Sequence, residues 1–424
     1  MFFSDFFGII LLKLGDLMKI VVIGGGASGL VSAIFSKTKN NEVIILERNN
    51  NCGKKILITG NGKCNYWNSD QNINHYHSDN IAELKKIITP ELNNEVLKFF
   101  EKIGIVPKIK NGYYYPTSNQ ATSIQTALIL EAKLKGVIIN NNEYVKNIVR
   151  KNNKYYIETE QNNYIADKVI VATGSKAVPK TGSDGNGYDL AIHLGHSVIK
   201  PLPALVQLNG IGNYFKEWAG VKQDVKVTLL ENNSKIKEEY GEINLTDYGL
   251  SGICVMQLSG IIARGIDNGK EEIIEINFMP WINKNSEFIK WMDNRNKLVL
   301  NRNITELLDG VLNYKLVNLI IKKSGIKQNE RWTNLSKDLK FALANNIISF
   351  KQKIISTNSF DKAQVCSGGI PLSEINIDTM ESKYNKNLYF VGEVLDVVGD
   401  CGGYNLGFAW ISGIIAGKSI SKEE

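Results

Sequence analysis

The sequence predicts an α/β fold: a discontinuous parallel-sheet domain built from both ends of the chain, with an inserted β-barrel and helical domain between them. Three observations carry that expectation. A β-branched run near the start opens directly into a glycine-rich turn and an apolar helix. Two more runs, one mid-chain and one near the C-terminus, read as buried parallel strands ending in glycine-containing turns. Between those two, the apolar pattern changes first to alternation and then to helical spacing.

The first element is Lys19–Ile23 (KIVVI), which enters Gly24-Gly25-Gly26-Ala27-Ser28-Gly29, a G-x-G-x-x-G pattern. Leu30, Val31, Ile34 and Phe35 follow at helical spacing. A turn at Asn40-Asn41 leads to a second strand, Val43–Leu46, ended by Glu47. Each part has a task in a Rossmann-like βαβ unit. Gly24 makes the tight turn, Gly26 lets a pyrophosphate approach, and Gly29 permits close helix–strand packing. The helix start at Ala27 and Ser28 offers free N–H groups and a partial positive charge to phosphate. Glu47 is placed to accept hydrogen bonds from ribose hydroxyls and to repel a 2′-phosphate, which disfavours NADP here.

The fingerprint alone does not separate NAD from FAD. Lys168–Val171 runs into Ala172-Thr173-Gly174, and Leu388–Val391 runs into Gly392-Glu393. In flavoproteins of the two-dinucleotide type, the first resembles the strand that closes beside FAD. The second resembles the strand whose acidic end meets the ribityl chain. Three such elements in this order favour FAD. No second complete G-x-G-x-x-G follows a strand, so NAD(P)H has no domain of its own.

Two loops are too rich in Gly and polar residues to be core: Thr59–Asn65 and Gly399–Leu406. The second opens a helix at Phe408-Ala409-Trp410-Ile411, whose N–H groups and dipole suit the negative charge of a reduced flavin. Cys64 and Cys401 fall in these loops. Without a C-x-x-C partner they read as small residues in tight turns in preference to redox thiols. Tyr113-Tyr114-Tyr115-Pro116 fits either a pocket wall or packing at a strand end. No catalytic acid or base is assigned.

From Met18 onward the chain resembles the YhiN-like (BaiN-like) family of bacterial flavoproteins. The stretches that carry the likeness are GGGASGL, ILITGNGKCN, GYYYPTSNQA, TDYGLSG, AQVCSGGIPLSEINIDTMESK, LYFVGEVLD and DCGGYNLGFAW. The resemblance implies FAD held by the glycine fingerprint, Glu47, Arg48, Lys55 and the backbone near Val145. It adds Ala172, Thr173, Gly174, Gly392, Glu393, Asp400, Gly403, Tyr404, Asn405 and Leu406. It places the loop of Gly60, Gly62, Lys63, Cys64 and Asn65 against the cofactor. Asn61 and Lys63 depart from the family's Gly and Arg, Gly407-Phe408 from its Gln-Trp, and Asp247 from a frequent His. The family includes members linked to reduction of unsaturated bile-acid intermediates. It therefore implies a small-molecule substrate with an enone-type double bond, and NAD(P)H as transient donor. Two alternatives stand beside that reading, an RNA-modifying flavoenzyme and a non-enzymatic redox sensor.

Composition bounds the rest. At 424 residues, and about 150 per domain, two or three domains are expected. The resulting division is an extension at 1–17, an FAD-binding domain at 18–200 and 355–424, a barrel-like domain at 201–284 and 340–354, and a helical subdomain at 285–339. The net charge of +7 is scattered and not gathered on one face, which disfavours nucleic acid as a partner. Five cysteines without a C-x-x-C pair imply neither a disulfide framework nor a zinc site, and suit the cytoplasm. His75-x-His77 and His193-x-x-His196 lack neighbouring cysteines and read as surface or loop histidines, leaving no metal site. The apolar start, Met1–Leu12, is shorter than the ~20 residues that span a bilayer. It also lacks the basic and cleavage regions of a signal peptide, so no membrane association is expected.

Overall fold

The computed structural model describes residues 17–422, so the expected extension falls, apart from Leu17, outside the described residues. The central sheet has seven strands. Five are parallel, in the order Leu388–Phe390, Lys168–Val171, Met18–Ile23, Asn41–Glu47 and Ile138–Asn141. Two short antiparallel strands, Ile375–Asn376 and Glu381–Ser382, complete one edge. Ile20, Val21 and Val22 are wholly buried, as strands covered on both faces should be.

Register positions the site. Ile23 pairs with both Leu46 and Val171, and Val171 pairs with Phe390. Four strands therefore end at one level, and Gly24, Glu47, Ala172 and Val391 emerge side by side at their carboxyl ends. That rim is where open α/β sheets bind ligands. The helices Ala27–Ser36 and Tyr404–Lys422 pack together behind it. A Cβ at Gly413 would lie 2.8 Å from the Ser28 carbonyl, and one at Gly417 would lie 2.4 Å from Phe35 Cβ. Two glycines four residues apart share a helix face, so the two helices cross backbone to backbone.

The chain passes to the second unit and back through paired antiparallel strands, Ile199–Ala204 and Val365–Gly369. That unit is a closed six-stranded barrel ordered Leu208–Gly210, Gly249–Ser251, Ser234–Leu245, Lys222–Glu231, Glu272–Asn277 and Phe350–Thr357. Its core is separate from that of the parallel sheet and includes Trp218, Phe278 and Phe350. Helices Asn285–Leu298, Ile304–Asp309, Tyr314–Lys323 and Lys337–Ile348 add to this second core.

The sequence reads Ile304–Leu319 as one amphipathic helix, but the structure breaks it. Gly310, a weak helix former, caps the first piece, and the Asn313 side chain accepts from the Lys315 N–H to start the second. No described helix is long and apolar enough to cross a membrane.

Candidate flavin site and adjoining cleft

The three glycines of the fingerprint behave differently from one another. Gly24 has φ +100°, and a Cβ there would meet the Ala172 carbonyl oxygen at 2.6 Å. A Cβ at Gly29 would sit 1.9 Å from the Gly24 carbonyl, so only glycine lets the helix seat on the turn. A Cβ at Gly26 would meet nothing within 4 Å. That space lies at the N-terminus of the ten-residue helix Ala27–Ser36, which has no side-chain cap and no acidic residue in its first turn. It is room for an anion, in the place where backbone N–H groups are free.

Glu47 is buried at the end of its strand, and its carboxylate already works within the protein. Oε2 accepts from the Gly25 N–H at 2.8 Å, while Oε1 accepts from the Asn49 N–H at 2.8 Å and Nδ2 at 2.7 Å. Of about four acceptor positions on a carboxylate, three are taken. Arg48 turns outward, paired with Asp184 and lying 4.7 Å from the Tyr144 ring centroid. The Val145 carbonyl accepts from Asn186 Nδ2 at 2.8 Å.

The C-terminal segment closes the rim. Ser28 Oγ donates to the Val391 carbonyl at 3.3 Å, and a Cβ at Gly392 would meet that hydroxyl at 2.4 Å. Lys55 Nζ lies 2.6 Å from Glu393 Oε2, which also accepts from Ser175 Oγ at 3.1 Å. Thr173 packs on the next helix, where a Cβ at Gly187 would lie 1.9 Å from its hydroxyl, and Gly174 faces Ser183.

The two glycine-rich loops meet above this rim. Gly60, Asn61, Gly62 and Cys64 all have positive φ. Two of these are not glycine, so the surrounding structure holds the backbone in a sparsely populated region. Asn61, Gly62 and Lys63 are exposed, whereas Cys64 is wholly buried. Burial pushes the Cys64 thiol up to about 12, outweighing a hydrogen bond from Thr59. Asn65 Oδ1 is buried with no partner among the described residues, and it lies 3.1 Å from where a Gly403 Cβ would stand. Gly403 has φ +96° and sits against the Trp67 backbone, directly before the helix Tyr404–Lys422. Asn405 clasps the loop, accepting from the Gly399 N–H and donating to the Gly399 carbonyl, both at 2.8 Å. Leu406 is half-buried in the first turn.

A cleft of about 260 Å³, lined in part by Val398, Gly399 and Asp400, opens between the sheet domain and the barrel. Its walls include His77, Asp79, Asp396 and Asp400 on one side, and Gln257 and Arg264 on the other. Asp396 accepts from the Asp79 N–H at 2.9 Å and Ser78 Oγ at 3.3 Å, yet burial holds its carboxyl above the usual range. Asp400 goes the other way. Burial pushes it up, but hydrogen bonds from His77 and His75, with the Lys237 charge, bring it below the ordinary value.

Sequence reasoning read His75 and His77 as surface or loop histidines, and it missed their shared partner. His75 ends the short 3-10 turn Ile73–His75, and His77 lies in the strand Tyr76–His77 that follows it. Both rings reach Asp400, His75 through Nδ1 at 3.1 Å and His77 through Nε2 at 3.0 Å. The H-x-H spacing was the available signal, but nothing in the sequence places it beside residue 400. His196, also expected in a loop or at the surface, is buried between Glu374 and Ser382, each 2.8 Å away. Among the described residues no group of three or more His, Cys, Asp or Glu side chains is arranged to hold a metal.

The open space at Gly26, the unpartnered Asn65 Oδ1 and the level strand ends fit a dinucleotide lying along the rim toward the 403–406 helix start. Fold and site define an FAD-dependent oxidoreductase with a Rossmann-type domain and an inserted barrel. The family model described as HI0933-like protein Rossmann domain matches residues 18–419, and the chain belongs to that family. It is 38% identical over 410 residues to a 3-dehydro-bile acid delta(4,6)-reductase of Clostridium scindens, covering 95% of this chain and 99% of that protein. It is 29% identical over 409 residues to a ribosomal RNA dihydrouridine synthase of Haemophilus influenzae, covering 95% and 98%. The 3-ketosteroid delta1-dehydrogenase structure from Sterolibacterium denitrificans shares the fold, with a TM-score of 0.51 at 9% identity, covering 96% of this chain and 99% of that one.

Proposed function

We infer that this flavoprotein reduces a carbon–carbon double bond conjugated to a carbonyl, in a small organic molecule seated in the cleft beside Asp400, with NAD(P)H as donor. The observation that carries the reading is the shared 398–406 segment. Its front wall lines the cleft, and its end is the helix start expected to face the flavin ring. Bound FAD supplies two-electron hydride chemistry.

The chain's own groups do the rest. The Gly24–Gly29 turn and the helix at Ala27 receive the pyrophosphate, and Glu47 offers its remaining acceptor position to a ribose hydroxyl. Lys55 and Glu393 fix the rim at the ribityl end. Asn65 and the Gly403–Leu406 helix start supply polar groups to the ring. The barrel and Arg264 close the cleft from the opposite side.

The two curated relatives support the reaction class. One is named for reducing an unsaturated steroid acid, and the other for converting uridine to its ring-reduced form. The RNA reading is the weaker one for this chain, because the cleft is lined by the acids Asp79, Glu231, Asp396 and Asp400 against the two cations Arg264 and Lys270, a balance that disfavours a phosphate backbone. Five free cysteines suit a reducing compartment such as the cytoplasm.

The test is product analysis by mass spectrometry. The holoprotein with NADH or NADPH is offered a panel of enones, unsaturated 3-oxo steroids among them, and separately unmodified ribosomal RNA. A gain of two hydrogens on an enone supports the reading. A gain confined to uridines of the RNA moves the chain to the second class.

A further inference from the structure

Four side chains form one unbroken line from the surface to the cleft. Asp70 is exposed, and its Oδ2 lies 3.1 Å from His75 Nε2. His75 Nδ1 lies 3.1 Å from Asp400 Oδ2, and Asp400 Oδ1 lies 3.0 Å from His77 Nε2. His77 lines the cleft and keeps Nδ1 as its second ring nitrogen. The Tyr404 ring stacks on His75 at 4.5 Å between centroids, which restrains that imidazole. Lys237 lies 2.9 Å from Glu239 and 3.8 Å from Asp400 Oδ1, the oxygen that also faces His77, so its charge favours the ionised carboxylate.

We propose that Asp70, His75, Asp400 and His77 form a proton relay that feeds the cleft from solvent, with His77 as the group that protonates the substrate. This rests on the reductive reading of the site given above. Saturating a conjugated double bond needs a hydride at one carbon and a proton at the other. The hydride brings both electrons from the donor. The π bond breaks as His77 Nδ1 releases its proton to the second carbon and a C–H bond forms there. Nε2–H stays hydrogen-bonded to the Asp400 carboxylate while Nδ1 gives up its proton, which leaves His77 neutral with its one ring proton on Nε2. Rotation of the ring then sets Nε2–H toward the cleft and the bare Nδ1 toward Asp400, which passes it a proton drawn from His75, itself refilled through Asp70 from water. Each turnover consumes one hydride and one solvent proton.

The line matters when the cleft is full. The His77 side chain is 38% exposed and lines the cleft, so a substrate seated there would cover it. Resupply must then come from behind, where Asp70 is 65% exposed. Histidine is the side chain suited to such shuttling near neutral pH.

The experiment uses FAD-loaded protein and the variants Asp70→Asn, His75→Gln and His77→Gln. Reduction of the flavin by NAD(P)H should be unchanged in all three. Re-oxidation by an enone should slow by about 10²-fold in His77→Gln, the scale of a lost general acid. It should slow less in the other two, with added imidazole restoring their rate. Slow rates that imidazole does not move, or wild-type rates throughout, overturn the relay. A second readout needs no substrate: with ¹⁵N-labelled histidine, Asp70→Asn should move the ring signals of both His75 and His77. Movement confined to His75 overturns the relay. Failure of the wild-type protein to reduce any enone counts against the function and leaves the NMR result to judge the relay.

Discussion

Lys55 and Glu393, 338 residues apart in sequence, meet as an ion pair 2.6 Å long. Each side chain is 20% exposed, and the pair ties the loop after the second strand to the C-terminal segment that completes the flavin site. Hydrogen bonds to charged groups contribute about 1.5–3 kcal/mol. Lys55→Met should lower the melting temperature of the apoprotein and reduce the flavin recovered with the purified chain. Calorimetry and the visible absorbance ratio measure both, and a variant with unchanged flavin content contradicts this role.

Two glycines of one fingerprint should fail in different ways. Gly29→Ala places a methyl 1.9 Å from a backbone carbonyl, so the helix cannot seat and soluble protein should be lost. Gly26→Ala meets no protein atom within 4 Å, so the apoprotein should melt as wild type does. Its methyl would occupy pyrophosphate space and weaken FAD by at least tenfold, about 1.4 kcal/mol. FAD titration of refolded apoprotein checks this; wild-type affinity in Gly26→Ala removes the pyrophosphate from that position.

Much of this site was legible in the sequence because its signals are local. The strand, turn and helix around Gly24–Gly29 announce themselves through β-branching, glycine spacing and apolar period, and the structure shows the turn at Gly24 and the close packing at Gly29. Apolar and polar residues alternate over Val225–Leu229 as a half-buried strand requires, and they lie within the barrel strand Lys222–Glu231. What stayed hidden depends on distant segments meeting. Nothing near His75 or His77 points to Asp400, and the cleft is walled by the Ser259–Asp267 helix of the barrel unit. The helix break at Gly310–Asn313 escaped because apolar spacing continues through it, while the capping side chain that decides it is a local hydrogen bond.

Glu272 gives the barrel a pH dependence. It is fully buried opposite Glu231, and burial, helped by the Glu231 charge, pushes its carboxyl from 4.5 up to about 7. The folded state therefore holds a proton that the unfolded state has lost. Stability from this group is intact below about pH 4.5 and declines as pH rises to about 7. Glu272→Gln should raise the melting temperature at about pH 8 and do little at about pH 4.5. Equal shifts at both values would show that the carboxyl does not titrate in this window.

The loop thiols should be inert in the folded holoprotein. Burial, with the Asp400 charge beside it, pushes Cys401 up to about 12, matching Cys64. At neutral pH neither is a thiolate nucleophile. Alkylation followed by peptide mass spectrometry should leave both unmodified until the protein is denatured. Rapid labelling of either in the native state would support the redox-sensor alternative.

The most direct test of the account is an anaerobic double mix. Purified yellow holoprotein is first combined with NADH or NADPH, then with an α,β-unsaturated ketone, while the visible flavin band is followed. The account predicts bleaching by one nicotinamide and return of the band as the enone is consumed, with one saturated product formed per flavin re-oxidised. A flavin that stays oxidised with both donors, or one that bleaches and is re-oxidised by no enone, contradicts it.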